Sequence, residues 1–112
     1  MMVVFGGRSS KQALLNDTWG LRRHRDGRWT WVQAPYKGEY APMARFQHSS
    51  HSMGKLMVVL GGRTGKVEQC PALDVYDTES SEWHQFPSLE RFRHATCTLA
   101  QSIMVYGGFS HA

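Results

Sequence analysis

An all-β fold assembled from repeated antiparallel sheets is what this sequence predicts, on three observations. Short runs rich in Val, Ile, Leu and Tyr each close on a doubled glycine. A second pattern, Arg-Phe-x-His, occurs twice at a fixed distance from those runs. No segment sustains the 3.6-residue apolar spacing of an amphipathic helix.

The elements follow in order. Met2-Val3-Val4-Phe5 runs into Gly6-Gly7 and gives a strand near 2–6. Strands near 17–22 and 29–33 flank the basic stretch Arg22-Arg23-His24-Arg25-Asp26-Gly27-Arg28, which reads as a solvated hairpin turn. Arg45-Phe46-Gln47-His48 opens a strand near 48–53, and Leu56 to Leu60, closed by Gly61-Gly62, gives one near 56–61. Strands near 72–77 and 82–86 follow. Arg91-Phe92-Arg93-His94 then opens 94–99, and Ile103 to Tyr106, closed by Gly107-Gly108, gives 102–107. Arg45 to Arg91 and Gly61 to Gly107 are both steps of 46 residues, whereas Gly6 to Gly61 is a step of 55. Trp31 and Pro35 recur as Trp83 and Pro87, 52 residues on. The differences fall between the repeated patches, as expected when strands are fixed and loops are free.

Composition bounds the function classes. The chain has 112 residues, 41% apolar and 20% charged, with eleven glycines, a formal charge of +4 and a pI near 9.4. One domain is expected over 1–112. The longest apolar run, Leu56 to Leu60, falls far short of the ~18 residues of a membrane span, and no membrane partner is expected. The start lacks the basic region of a signal peptide. Cys70 and Cys97 form no disulfide framework, so reduced thiols in a cytoplasmic or nuclear protein are expected. The mild basicity is weak support for nucleic acid, which is not expected as a partner.

A strand ending in Gly-Gly, then an aromatic, then Trp, on a period of about 50, resembles the kelch repeat. The resemblance covers essentially the whole chain. It implies four-stranded antiparallel blades packed radially about a central channel. The structural repeat residues are then Gly6, Gly7, Trp31, Arg45, His48, Gly61, Gly62, Trp83, Arg91, His94, Gly107 and Gly108, with the tryptophans filling the space between blades. With strands labelled a to d, the chain reads as a partial kelch-type propeller: blade one with strands b–d over 2–34, a full blade two over 45–87, and blade three with strands a–b over 91–109. Two departures stand out: Asp74 aligns with Trp19, and Leu21 with Tyr76. Closed propellers have roughly four to eight blades. Further blades in a longer protein are therefore expected, in preference to self-association that covers the open edges.

Strands in a blade alternate in direction, so the b–c loops (8–16 and 63–71) and d–a loops (34–47 and 87–93) emerge on one side. Long loops on a rigid scaffold are where binding resides. This side carries Arg8, Lys11, Lys37, Arg45, Arg63, Lys66, Arg91 and Arg93 against Glu39, Glu68 and Glu90. The surplus predicts a protein partner with an acidic or phosphorylated segment. The candidate contact residues are Arg8, Lys11, Tyr36, Lys37, Tyr40, Arg63 and Lys66, with the tyrosines as aromatic anchors. Arg45 and Arg91 recur in place and read as scaffold, as do His48 and His94, expected to be hydrogen-bonders at the start of strand a. His48 and His51, three apart on a strand, point to opposite faces, and no metal is expected. Cys97 reads as a small buried apolar residue of strand a.

Three functions compete. The first is a non-catalytic protein-interaction module. The second is a regulatory region, since the Arg-Phe-Gln-His and Arg-Phe-Arg-His blades resemble those of the plant and protozoan Ser/Thr protein phosphatases with an N-terminal kelch region. No phosphatase metal-binding motif is present in the 112 residues, so no catalysis and no cofactor are expected of the chain itself. The third is a propeller enzyme similar to galactose oxidase, for which Tyr76 and Cys70 supply no convincing metal constellation.

Overall fold

The computed structural model describes residues 2–66, 70–92, 94–99 and 101–110, and these contain strands and no helix. Three strands, β1 (Met2–Arg8), β2 (Leu14–Arg23) and β3 (Trp29–Gln33), form an antiparallel sheet in that order. A four-stranded antiparallel sheet follows from β4 (Ser49–Met53), β5 (Leu56–Leu60), β6 (Leu73–Asp77) and β7 (Glu82–Phe86). Two more elements, β9 (Ala95–Leu99) and β10 (Ser102–Tyr106), pair as a third sheet. Two-residue strands β8 (Arg91–Phe92) and β11 (Phe109–Ser110) pair beside it. The chain is thus a partial propeller, with one full blade flanked by two partial blades.

Two elements were not anticipated. Strand β1 runs past its glycines to Arg8, with a bulge between Phe5 and Gly7. The β8–β11 pair arises because the residue after Gly-Gly faces the phenylalanine of Arg-Phe-x-His: Phe109 opposes Phe92, as Phe46 bridges Arg63 in the full sheet.

Apolar alternation places the core between the first two sheets. Met57 and Val59 of β5, with Tyr76 and Trp83 across the sheet, face Phe5 of β1. Trp83 is the keystone, its ring 5.1 Å from Phe5 and 5.0 Å from Tyr76. The Tyr76 hydroxyl donates to the Pro35 carbonyl and ties down the β3–β4 connection.

The sheets are also stitched by backbone. The Gly7 amide donates to the Arg45 carbonyl (2.8 Å) and the Gly62 amide to the Arg91 carbonyl (2.7 Å), the same bond one blade on. The doubled glycine makes this approach possible. Gly61 has φ +68°, and a Cβ there would lie 2.5 Å from the Arg91 carbonyl and 2.3 Å from the His94 ring. Left-handed φ and absent side-chain volume are both needed. His48 crosses the first seam, its Nε2 donating to the Phe5 carbonyl at 2.8 Å. His51 turns the other way and meets the Thr96 hydroxyl of β9. Strands β4 and β9 are the closest strands of their two sheets, so blades two and three converge at strand a.

Two expected burials are not met within the described residues. Trp31 is 55% exposed where Trp83 is 6% exposed. A tryptophan at this place packs on the strand that Phe5 represents in the preceding sheet, and among the described residues no sheet lies against that face of β1–β3. Cys97 is exposed rather than buried. It pairs with Met104, and Met104 is itself 53% exposed, on the face of β9–β10 turned away from β4.

Candidate functional site

The long-loop side is organised by a ladder of arginine and phenylalanine. Arg8 follows the first glycine pair, and its guanidinium lies over Phe46, 4.9 Å from the ring centroid. Arg63, in the same place after the second pair, lies 5.5 Å from Phe46 and 4.9 Å from Phe92. Phe92 stacks in turn on Phe109 at 5.5 Å and 22°. The order Arg8, Phe46, Arg63, Phe92, Phe109 crosses all three blades. Its geometry has a local cause: the Phe46 amide donates to the Arg63 carbonyl (3.1 Å) and the Arg63 amide returns a bond to Phe46 (2.9 Å), which holds arginine beside ring. Guanidinium over an aromatic face is an attractive arrangement that leaves the planar N–H edge outward. Among the described residues neither Arg8 nor Arg63 donates a side-chain hydrogen bond or joins an ion pair.

Other candidates separate from this surface. Lys11 and Lys66 are exposed in the b–c connections, and the Lys66 amide is fixed by the Thr64 hydroxyl at 3.1 Å. The β3–β4 connection does not stay on the long-loop side. It descends between the first two sheets until the Lys37 amide donates to the Ser81 carbonyl (2.7 Å), in the turn between β6 and β7. Lys37 is therefore carried to the opposite side. Tyr36 is 53% exposed and lines a cavity of about 220 Å³ between the two sheets with Asp17, Pro42 and Trp83.

Tyr40 is not a surface anchor. It packs against the core, and its hydroxyl donates to Asp74. Asp74 also takes the Arg45 guanidinium, and both charged side chains are fully buried. Arg45 completes its shell with the carbonyls of Ala72 (2.7 Å), Gly61 (3.3 Å) and Met43 (3.4 Å). Burial pushes the Asp74 carboxyl up and the Arg45 guanidinium down from their ordinary values, each opposed by the other's charge. Burial also raises the Tyr40 hydroxyl far above its usual value. Arg45 thus adds nothing to the surface charge. Arg91 repeats the bond to its own glycine pair, donating to the Gly107 carbonyl at 3.0 Å, but is exposed. Arg93 and Glu68 lie outside the described residues.

The basic stretch 22–28 is a hairpin turn, with Arg28 Nε 2.7 Å from the Asp26 carboxylate and His24 Nε2 2.8 Å from the Thr30 hydroxyl. His48 and His94 are held neutral by burial, which lowers both below the usual imidazole value.

Sequence reasoning overlooked four residues. Asp74 looked like a flaw in an aromatic position and is the counter-ion of Arg45. Phe46, Phe92 and Phe109 complete the ladder, and the repeated Arg-Phe and Gly-Gly-Arg pairs were the available signal.

Comparison with known proteins agrees with this architecture. The model of the KLHDC2/KLHL20/DRC7 Kelch-repeats domain matches residues 1–112. The serine/threonine-protein phosphatase BSL2 of Arabidopsis thaliana is 28% identical over 96% of this chain and 13% of its own length. A Kelch repeat-containing protein of Arthroderma benhamiae is 31% identical over 78% of the chain and 14% of its own length. Protein ral2 of Schizosaccharomyces pombe is 27% identical over 77% of the chain and 15% of its own length. The chain spans well under a fifth of each of these relatives. With its sheet order, doubled glycines and a match from end to end, the chain belongs to the kelch-repeat family.

Proposed function

We propose that the chain is a non-catalytic protein-interaction unit that receives an acidic or phosphorylated segment on its long-loop side. Kelch-repeat domains are in general protein-interaction domains. The observation that carries the finer reading is the pair of guanidiniums, Arg8 and Arg63, that share the Phe46 ring. Arg28, Lys55 and Arg45 each have a carboxylate within the chain, respectively Asp26, Asp77 with Glu79, and Asp74. Arg8, Lys11, Arg63 and Lys66 on the long-loop side have none among the described residues; nor have Arg22, Arg23 and Arg25 of the opposite hairpin turn, but there no ring is shared by two guanidiniums. Cations left unneutralised on one surface attract and orient an anionic partner.

The test is a fluorescence-anisotropy titration of the full-length protein with acidic, neutral and basic peptides of equal length. Binding should favour the acidic peptide and weaken as salt rises. Equal binding of all three overturns the reading.

The similarity to BSL2 over 96% of the chain supports a second reading, a regulatory region beside a Ser/Thr phosphatase. Phosphatase activity that co-purifies with the full-length polypeptide, and is modulated by the acidic peptide, is the outcome expected of it.

A further inference from the structure

We propose that the arginine–phenylalanine ladder is a composite subsite that reads two oxyanions followed by an apolar side chain in an extended peptide, the oxyanions being carboxylates or phosphates. The inference rests on the interaction reading above and assigns its specificity.

The geometry repeats from blade to blade. Arg8 and Arg63 occupy the same repeat position one blade apart, each stacked on an aromatic face. Stacking fixes the guanidinium plane and lowers the entropy lost when it binds an anion. The edge of that plane holds donors in a fork that matches carboxylate or phosphate. Both guanidiniums flank one ring, Phe46, so their separation is that of side chains about two to three residues apart in an extended segment.

The third position breaks the pattern and supplies the apolar end. Where blades one and two place Arg8 and Arg63, blade three places Phe109, 57% exposed and stacked on Phe92. An aromatic pair offers no hydrogen-bonding fork, but it offers a platform for an apolar or aromatic side chain. Across the three blades the surface reads cation, cation, aromatic. The complementary ligand carries anion, anion, apolar.

The nearby charges leave this arrangement intact. Arg45, adjacent to Phe46 in sequence, is neutralised inside by Asp74 and does not compete for the ligand. Lys11 and Lys66 add diffuse positive charge beside the ladder without a stacked plane. They would speed association more than they would set register.

The experiment is an anisotropy titration of the full-length protein with four peptides: two Glu spaced two residues apart and followed by Phe, the same peptide with Ser for Phe, two phosphoserines at the same spacing followed by Phe, and a neutral analogue. Arg8→Ala and Arg63→Ala should each weaken the first peptide on the order of tenfold, as expected for loss of a charge-assisted pair. Arg8→Lys and Arg63→Lys keep the charge and should recover only part of the loss. Phe109→Ser should erase the preference for Phe over Ser in the ligand while leaving the acidic preference. Arg25→Ala, in the hairpin turn on the opposite side, removes the same charge and should change nothing. Tighter binding of the phosphoserine peptide assigns phosphate as the source of the oxyanions, and tighter binding of the glutamate peptide assigns carboxylate. A Lys substitution as good as Arg, or a loss with Arg25→Ala equal to that with Arg8→Ala, overturns the ladder while the acidic-partner reading stands. Wild-type binding that ignores acidity overturns both. A single-stranded oligonucleotide that outcompetes every peptide also overturns the proposal. Unchanged melting of each variant keeps loss of fold out of the comparison.

Discussion

Replacing Asp74 with asparagine should be among the most damaging conservative changes available to this chain. The substitution keeps size and preserves an acceptor for the Tyr40 hydroxyl, but it removes the negative charge paired with a fully buried guanidinium. Breaking a buried pair from one side typically costs about 3–5 kcal/mol, because the surviving charge is stranded. Here the Arg45 guanidinium would keep the carbonyls of Ala72 at 2.7 Å, Gly61 at 3.3 Å and Met43 at 3.4 Å. That partial shell argues for the lower end, about 3 kcal/mol. In a domain of this size such a loss lowers Tm by about 10–20 °C. Urea unfolding at neutral pH should show a lower midpoint with an unchanged slope. Arg45→Met combined with Asp74→Leu strands no charge, and it should lie within about 1 kcal/mol of wild type. If Asp74→Asn alone falls within about 1 kcal/mol of wild type, the site is wet and its ion pair is not what anchors the β3–β4 connection.

Other outcomes follow from the same packing. Trp83→Ala should cost about 3–5 kcal/mol in urea unfolding. Gly61→Ala should destabilise clearly more than Gly27→Ala by the same assay. Both have left-handed φ, but only Gly61 has the Arg91 carbonyl and the His94 ring within 2.5 Å of the new methyl. Stability should fall on acidification through the imidazole range. His48 and His94 have depressed values in the fold, so below the unfolded value of about 6.5 the unfolded chain takes up more protons. Their contribution is complete above about pH 7 and declines toward the depressed folded values. His48→Gln should flatten that decline in urea midpoints measured from pH 5 to 8.

The fold was legible because its devices are local and repeated. A doubled glycine closes a strand, a tryptophan lies within one and an Arg-Phe-x-His precedes one, and their order survives loops of different length. The candidate surface was only partly legible. Arg8 and Arg63 were found as charges, but their partnership depends on Phe46 and Phe92, dozens of residues away. Lys37 and Tyr40 belong to a connection whose path cannot be read from its own composition. It dips to Ser81 and returns to Asp74 because those two residues, far along the chain, offer a carbonyl and a carboxylate. The exposure of Trp31 and Cys97 within the described residues was illegible for another reason. The periodicity of a strand says which residues share a face, but whether another sheet covers that face is decided elsewhere.

The bond from a glycine amide to an arginine carbonyl, made at Gly7 and made again at Gly62, has a consequence for how such a protein changes over time. The seam between neighbouring blades is fastened partly by main-chain atoms, and glycine is the one residue there that contributes no side chain to negotiate. A duplicated blade inherits both halves of the fastening at once and can be spliced beside its parent without a matching set of new contacts. The rim then no longer carries that fastening alone. One copy can keep an arginine where its sister carries a phenylalanine, as Arg63 and Phe109 do, and a row of identical units becomes a row of distinct letters.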